Sequence, residues 1–380
     1  MKYDVCVTDC DTKHGFAIGR YLKKRGLKVL LQYRNTMNPF YYTIQNKDKY
    51  VGDIKNNDNI EKFIDFIRNN KTEVLIPVSN AAVQKVSEHS EQLGRLTKTV
   101  LPHPESLRIA QDKRKTFRYA EKLGVQCPCT IYDTSDLARV QNELDEFSFP
   151  AVIKYVNVGE TGVLYCSNKK QVIEILQEYS SYHNNPPIVQ EYIRGIGVGF
   201  YAIYNNGECQ NYFMHRRIHE YPVTGGASSF AMSYCNEKVK ESGLKILDSL
   251  QWHGVAMIEF KLTDNNDVYL IEINPKFWGS YELAEKCGIS FAYDYYQTAL
   301  GKTVQKKDYD KSIAFRWLFN DIMYYRDKLL SGYRRSSNIQ EKPKYVYNDL
   351  YFDEPFIMTA RMFDTIIRLF VKKINPHSRP

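Results

Sequence analysis

The stretch VAMIEFKLTDNNDVYLIEINPKFWGS, residues 255–280, decides how the rest of the chain is read. Two runs rich in β-branched and aromatic residues, 255–262 and 268–273, flank the turn formers Thr263-Asp264-Asn265-Asn266-Asp267, which predicts a β-hairpin. Closed through a four-residue loop at 264–267, the hairpin sets Glu259 across from Glu272. Asn274 then follows on the face of Glu272, because side chains alternate with period two. Opposed carboxylates in an apolar ladder repel and are costly to bury. A hard cation such as Mg²⁺, held by two carboxylates and an amide, removes that cost. The competing reading is a surface hairpin with both glutamates in water. The flanking Ile258, Phe260, Ile271 and Ile273, followed by Asn274-Pro275 and Phe277-Trp278, favour the metal.

Upstream, residues 4–8 (DVCVT) form a short buried-strand pattern, followed by a loop at 9–15, an amphipathic 16–25 and a second strand at 28–32. This β-loop-α-β start predicts a parallel sheet. In and just after the first loop only Gly15 and Gly19 occur, so the G-x-G-x-x-G fingerprint of dinucleotide binding is missing. A helix at 60–69 and a strand at 73–78 (EVLIPV) complete an α/β domain over 1–102, with Ser79-Asn80 at the strand end where such sheets bind ligands. After the Leu101-Pro-His-Pro104 linker, 105–123 reads as one helix carrying Lys113. Lys154 ends the apolar strand 149–155 and opens the segment 157–162, which contains Gly159 and Gly162. A lysine at the mouth of such a loop is either a phosphate clamp or a snorkelling turn residue. PIVQEYI, 187–193, is a strand ending at a hinge, Arg194-Gly195. Paired strands at 200–204 and 211–215 lead into His215-Arg216-Arg217 and the small-residue loop 224–229, which allows close approach to a phosphate.

A chain of 380 residues with 43% hydrophobic and 25% charged residues is ordinary globular composition, long enough for two or three domains. The eight cysteines lack zinc-site spacing, and no apolar run reaches the length of a membrane span. With no signal-peptide core after Met1, a cytoplasmic protein with reduced thiols is expected. Net charge of +8 suits an anionic small molecule, and no recognition motif accompanies it, so nucleic acid is not expected as a partner.

The ordered set DK (112–113), PAVIK (150–154), a glycine-bearing loop, IVQEYI (188–193) and IEF…IEINP (258–275) resembles the ATP-grasp superfamily over about residues 1–300. HRRIHEYPVTGGASS (215–229) and EINPKFWGS (272–280) look closest to the carbamoyl-phosphate-synthase-like branch of ATP-dependent carboxylate–amine ligases, which includes D-aspartate ligases. The resemblance implies an α/β and α+β fold: an N-terminal parallel-sheet domain (1–102), two ATP-gripping lobes (103–190 and 191–302) and a C-terminal helical extension (303–380). It implies that Lys113 and Lys154 contact nucleotide phosphates under the loop of Gly159 and Gly162, and that the hinge Glu191-Tyr192-Ile193 meets adenine. Glu259, Glu272 and Asn274 would hold Mg²⁺ or Mn²⁺. Relatives often carry arginine where this chain has Lys276, and Arg216 or Arg217 would supply the missing fork. Where relatives place a ribose-binding carboxylate, this chain reads Gly195-Ile-Gly-Val-Gly199.

The chemistry implied is activation of a carboxylate as an acyl phosphate by ATP, followed by attack of an amine. The two small-molecule substrates would sit partly against 9–15 and Ser79-Asn80. Competing readings are an enzyme that activates bicarbonate, as in carboxylases or carbamoyl phosphate synthesis, and a non-catalytic ATP-binding regulator. In the tail, 314–330 reads as a helix, and 356–374 as a basic amphipathic helix. Such a stripe more often packs on its own domain or on a second copy in a homodimer. The alternative is contact with an anionic membrane surface or a lipid-linked precursor.

Overall fold

A computed structural model describes residues 3–155, 163–180, 186–223, 225–331 and 342–370. Strands β1 (Tyr3–Val7), β2 (Val29–Tyr33), β3 (Lys49–Val51) and β4 (Thr72–Ile76) form a parallel sheet in the order β3-β2-β1-β4. Their near-continuous apolar runs suit strands covered on both faces. The helix Lys13–Lys24 follows β1, capped by the Thr12 side chain, which accepts from the Gly15 N–H. It starts three residues earlier than its apolar periodicity indicates.

A second sheet is small and antiparallel, in the order β5-β8-β6-β7: β5 (Thr130–Ile131), β6 (Ala151–Lys154), β7 (Val163–Cys166) and β8 (Ile188–Glu191). The third is the backbone of the molecule. It runs β13-β12-β9-β10-β11-β14-β15, from β9 (Ile196–Asn205), β10 (Glu208–Tyr221), β11 (Ala227–Ser233), β12 (Gly254–Leu262) and β13 (Val268–Asn274) to β14 (Ile313–Arg316) and β15 (Tyr345–Asn348). One face of this sheet shares a core with the N-terminal sheet, in which Val5, Phe16, Tyr201, Met257, Trp278 and Trp317 are buried together. The other face packs on the helix Glu237–Ser249 through Phe200, Ile246, Trp252 and Ile258.

The order of elements and the β12–β13 hairpin agree with expectation, and three local details differ. First, the helix expected at 105–123 is two, Pro104–Gln111 and Lys113–Lys122. Asp112 is extended between them and its carboxylate caps the second helix by accepting from the Lys115 N–H, 3.1 Å away. Second, residues 313–316 are strand rather than the start of a helix, because they pair with β11 (Phe230↔Arg316, Ala231↔Phe315); the helix runs Leu318–Ser331. The C-terminal extension is therefore not only helical: β14 and β15 prolong the large sheet. Third, the last described helix is Pro355–Phe370, and 371–374 lie outside the described residues. No helix among the described residues is long and apolar enough to cross a membrane.

Candidate active site

The hairpin places its carboxylates as the sequence predicts, by a different route. Leu262 pairs with Val268, so the connection has five residues rather than four, and that register would set Glu259 opposite Ile271. A bulge between the pairs Phe260↔Leu270 and Glu259↔Glu272 absorbs Ile271 and restores the alignment. Met257 then pairs with Asn274, the residue that hydrogen-bonds Glu272.

Glu259, Glu272 and Asn274 line a cavity of about 510 Å³ between the small sheet and the large one. Lys113, Lys154, Glu191, Tyr192, Ile193, Arg217 and Lys276 line it too. Arg216 does not: alternation along β10 turns it to the opposite face, where its guanidinium lies 3.7 Å from Met232 Sδ and 5.5 Å from the Tyr234 ring. Of the two arginines offered as partners to Lys276, only Arg217 faces the cavity. Gly159 and Gly162 lie outside the described residues.

Each carboxylate meets its own cation. Arg217 Nη2 is 2.7 Å from Glu259 Oε2, and Arg217 Nη1 is 3.4 Å from Glu220 and 3.3 Å from the Gly226 carbonyl. Burial works to discharge Arg217, but Glu259 and Glu220 outweigh it and hold the guanidinium ionised. Lys113 Nζ is 3.4 Å from Glu272 Oε1. Burial pushes the Glu272 carboxyl upward, yet Lys113, the Asn274 hydrogen bond, Lys276 and Lys154 together carry it below the usual carboxylate range. Lys154 is buried and lies 5.4 Å from the Phe117 ring; burial lowers its pKa to about 8, with Glu272 opposing and Lys113 adding to the fall. Its charge at neutral pH is thus held loosely, and an arriving phosphate would fix it.

The glycines of Gly195-Ile-Gly-Val-Gly199 have a spatial reason. Gly199 pairs with Glu259, and Gly197, which lines the cavity, pairs with Lys261. A Cβ on Gly197 would stand 2.9 Å from Arg217 Cδ, and one on Gly199 2.2 Å from the Tyr201 hydroxyl. Bare backbone here leaves Arg217 room to reach Glu259.

Four further polar groups lie in or behind the cavity wall, of which the sequence singled out Asn80 and Trp278 but not Lys13 or His14. Lys13, at the start of its helix, has a buried Nζ with no hydrogen-bond partner, 4.6 Å from the Trp317 ring. It stands behind Gly279, a cavity-lining residue whose Cβ, were there one, would lie 3.5 Å from Lys13 Cε. Burial lowers its pKa to about 8 against the pull of Asp349 and Glu282. His14 is pushed to about 3 by burial and by Lys276 and Lys13, and so stays neutral. Trp278 Nε1 is buried without a partner in the cavity wall, and Asn80 reaches from the N-terminal sheet to within 3.5 Å of Asn274. Lys13 and Asn80 fall in the two loops expected to touch substrate.

A serine nucleophile is a rival reading, since Ser280 Oγ lies 2.7 Å from His215 Nε2. Burial and then Arg217 drop His215 to about 3, its Nε2 is shared with the Tyr201 hydroxyl at 2.6 Å, and its Nδ1 has no partner. A base that weak, with no group to orient it, does not activate a hydroxyl. Among the described residues no group of three His, Cys, Asp or Glu side chains is arranged for a metal ion. The donor set expected from the sequence, the two facing carboxylates and the Asn274 amide, lines one cavity and would leave coordination for phosphate oxygens. That is how Mg²⁺ is commonly held.

Comparison with known proteins assigns a domain family to part of the chain. Residues 110–280 match the ATP-grasp domain family. The phosphoribosylamine–glycine ligase of Helicobacter pylori is 22% identical over 282 residues, covering 68% of this chain and 65% of that enzyme. The chain thus spans slightly under two thirds of the length of that relative. The D-alanine–D-alanine ligase of Campylobacter jejuni is 26% identical over 198 residues, covering 47% of this chain and 54% of that one. A crystal structure of the biotin carboxylase–β,γ-ATP complex from Campylobacter jejuni superposes with a TM-score of 0.66 at 16% identity, covering 80% of this chain and 72% of that one. The fold is the same.

Proposed function

We infer that this chain, whose residues 110–280 are an ATP-grasp domain, is a Mg·ATP-dependent ligase that activates a carboxylate as an acyl phosphate and couples it to an amine. The observation that carries the reading is the convergence of Lys113, Lys154, Arg217 and Lys276 on the facing pair Glu259–Glu272 in one cavity. Phosphoryl transfer needs positioning and charge neutralisation rather than a covalent nucleophile. That is what such a wall supplies.

In this reading the substrate carboxylate attacks the γ-phosphorus and ADP leaves. The amine then attacks the acyl carbon, phosphate departs, and an amide remains. Lys113 and Lys154 neutralise the nucleotide phosphates. Glu191, Tyr192 and Ile193 form the adenine edge, where the Glu191 and Tyr192 N–H groups are already donated to Cys129 and Pro150 carbonyls. Arg217 and Lys276 face the charge that builds on the transferring group. Glu259, Glu272 and Asn274 would hold Mg²⁺, which supplies Lewis-acid neutralisation of phosphate oxygens. Lys13 and Asn80 mark the acid and amine end. The acyl phosphate must be kept from water, the task of the segment containing Gly159 and Gly162.

The likeness to phosphoribosylamine–glycine and D-alanine–D-alanine ligases supports amide formation, with an amino acid or a peptide precursor as a substrate. Within the superfamily we keep the carbamoyl-phosphate-synthase-like branch as the reading, and the cytoplasm as its location; eight free cysteines suit a reducing compartment. For the C-terminal helix the competing partners are a membrane surface and a second copy of the chain.

The test is ADP release by purified protein with Mg·ATP across pools of amino acids and small acids, beside Glu272→Gln. Pool-dependent release that the variant loses by at least about a hundredfold establishes the ligase. Release that depends on bicarbonate alone would replace it with the bicarbonate-activating reading. ATP binding without turnover in any pool, equal in both proteins, would leave a nucleotide-binding regulator.

A further inference from the structure

The helix Pro355–Phe370 is turned inside out. An amphipathic helix on a globular protein ordinarily buries its apolar stripe and shows its charged side chains to water. Here Ile357 and Thr365 are the buried positions, and Arg361 points inward. Its guanidinium holds Asp349 at 2.5 Å and lies 4.4 Å from the Phe319 ring, while Asp349 also accepts from the Leu318 N–H at 2.8 Å. The opposite face carries Phe356, Phe363, Ile367 and Phe370, exposed to 66, 58, 63 and 83%, with Met362 and Ile366 between them. These residues recur at the spacing of one helical face. Scattered exposed apolar side chains need no account, whereas a continuous stripe of this size does.

We propose that this face is a membrane-docking surface that lies in the interface of an anionic bilayer. Charge selects the occupant. Besides the inward Arg361, residues 355–380 contain four Lys and Arg (Arg368, Lys372, Lys373, Arg379) against one acid, Asp364, on a chain of net charge +8. Arg368 lies on the helix itself, half exposed and 3.6 Å from Asp364, so the unbalanced charge comes from Lys372, Lys373 and Arg379 beyond the described helix. Phenylalanines flanked by basic residues are the composition that inserts between lipid headgroups while its cations meet anionic lipid. A second copy fits less well. A two-fold axis through the stripe would bring like cations face to face with few acids to pair them.

Docking in this way would hold the enzyme at a surface where a lipid-linked acceptor is presented, though the inference does not depend on the reaction. The experiment is co-flotation of the full chain with vesicles of phosphatidylcholine alone and of phosphatidylcholine mixed with phosphatidylglycerol. The chain should float with the mixed vesicles, with binding that weakens as salt rises. Phe363→Ser combined with Ile367→Ser should lower the partition coefficient by about a hundredfold, roughly tenfold per side chain. Both positions are exposed and remote from the cavity, so unfolding temperature and ADP release in solution should stay as in the parent. Failure of the parent to float, or equal flotation of the variant, overturns the proposal. So does a concentration-dependent dimer that the same substitutions abolish, which would give the face to a second copy. Equal binding to both vesicle types overturns the choice of an anionic surface.

Discussion

Arg217→Met tests whether the facing carboxylates are held as described. The substitution keeps most of the side-chain bulk and removes the guanidinium 2.7 Å from Glu259, leaving that carboxylate across the ladder from Glu272 with its own counter-charge gone. Side-chain exposure is 15% for Arg217 and 20% for Glu259, so water screens the pair only in part. Removing one partner of a buried pair costs ~3–5 kcal/mol, and the residual exposure of Glu259 places the expected loss at the lower bound, about 3 kcal/mol. For a cooperative unit of about 200 residues this lowers Tm by roughly 6–12 °C. Two restorations should follow. Adding Glu272→Gln removes the facing charge and should regain about 1 kcal/mol, a coupling that a double-mutant cycle isolates. Excess Mg²⁺ with ADP should recover about 2.7 kcal/mol at a hundredfold its dissociation constant, because a divalent cation takes over the vacated position. Thermal unfolding followed by circular dichroism, with and without Mg·ADP, reads all three. A loss under about 1 kcal/mol together with no coupling to Glu272→Gln would refute the account of the site.

Lys13→Gln should raise KM for the acid substrate by about 10- to 100-fold with little change in kcat, the cost of one charge-assisted hydrogen bond to a bound anion. An unchanged KM with a lowered Tm would reduce Lys13 to a packing group on Trp317. Glu282 offers a pH signature. Burial, reinforced by Asp349, raises its carboxyl from 4.5 to about 7, against hydrogen bonding from Tyr351 and the charges of Lys13 and Arg361. The native state therefore keeps a proton that the unfolded chain releases, so this group's contribution to stability falls as pH rises from 4.5 to about 7 and is flat above. Glu282→Gln should flatten that slope in urea unfolding measured across the interval; an identical slope in parent and variant would place the titration elsewhere.

How much of this was legible depends on the range of the interaction that decides each feature. The Glu259–Glu272 pairing was readable because one turn and one alternation set it. The turn length was wrong by one residue, and the bulge at Ile271 compensated, so the conclusion held although a step in it did not. A bulge answers to the strand on the other side of β12 as well, and local spacing holds no record of that neighbour. The break at Asp112 was visible in principle, since aspartate is a strong N-cap, but the apolar periodicity runs through it. Lys13 against Trp317, and β14 against β11, join residues far apart in the chain and leave no local pattern to read.

The C-terminal helix shows the limit most clearly. Its period announces two faces, and the ordinary expectation sends the apolar one inward. What reverses it is a set of partners that periodicity does not contain. Asp349, buried and already accepting from the Leu318 N–H, requires a cation, and Arg361 is the one that meets it between the rings of Phe40 and Phe319. Leaving a buried carboxylate without its partner costs ~3–5 kcal/mol, less than the roughly 6–12 kcal/mol of exposing Phe356, Phe363, Ile367 and Phe370 to water. The polar face therefore keeps the contact with the protein only if the apolar face is relieved of water at little further cost. The bilayer interface proposed for this helix would provide that relief, and the inward arginine and the outward phenylalanines would then be two consequences of one balance.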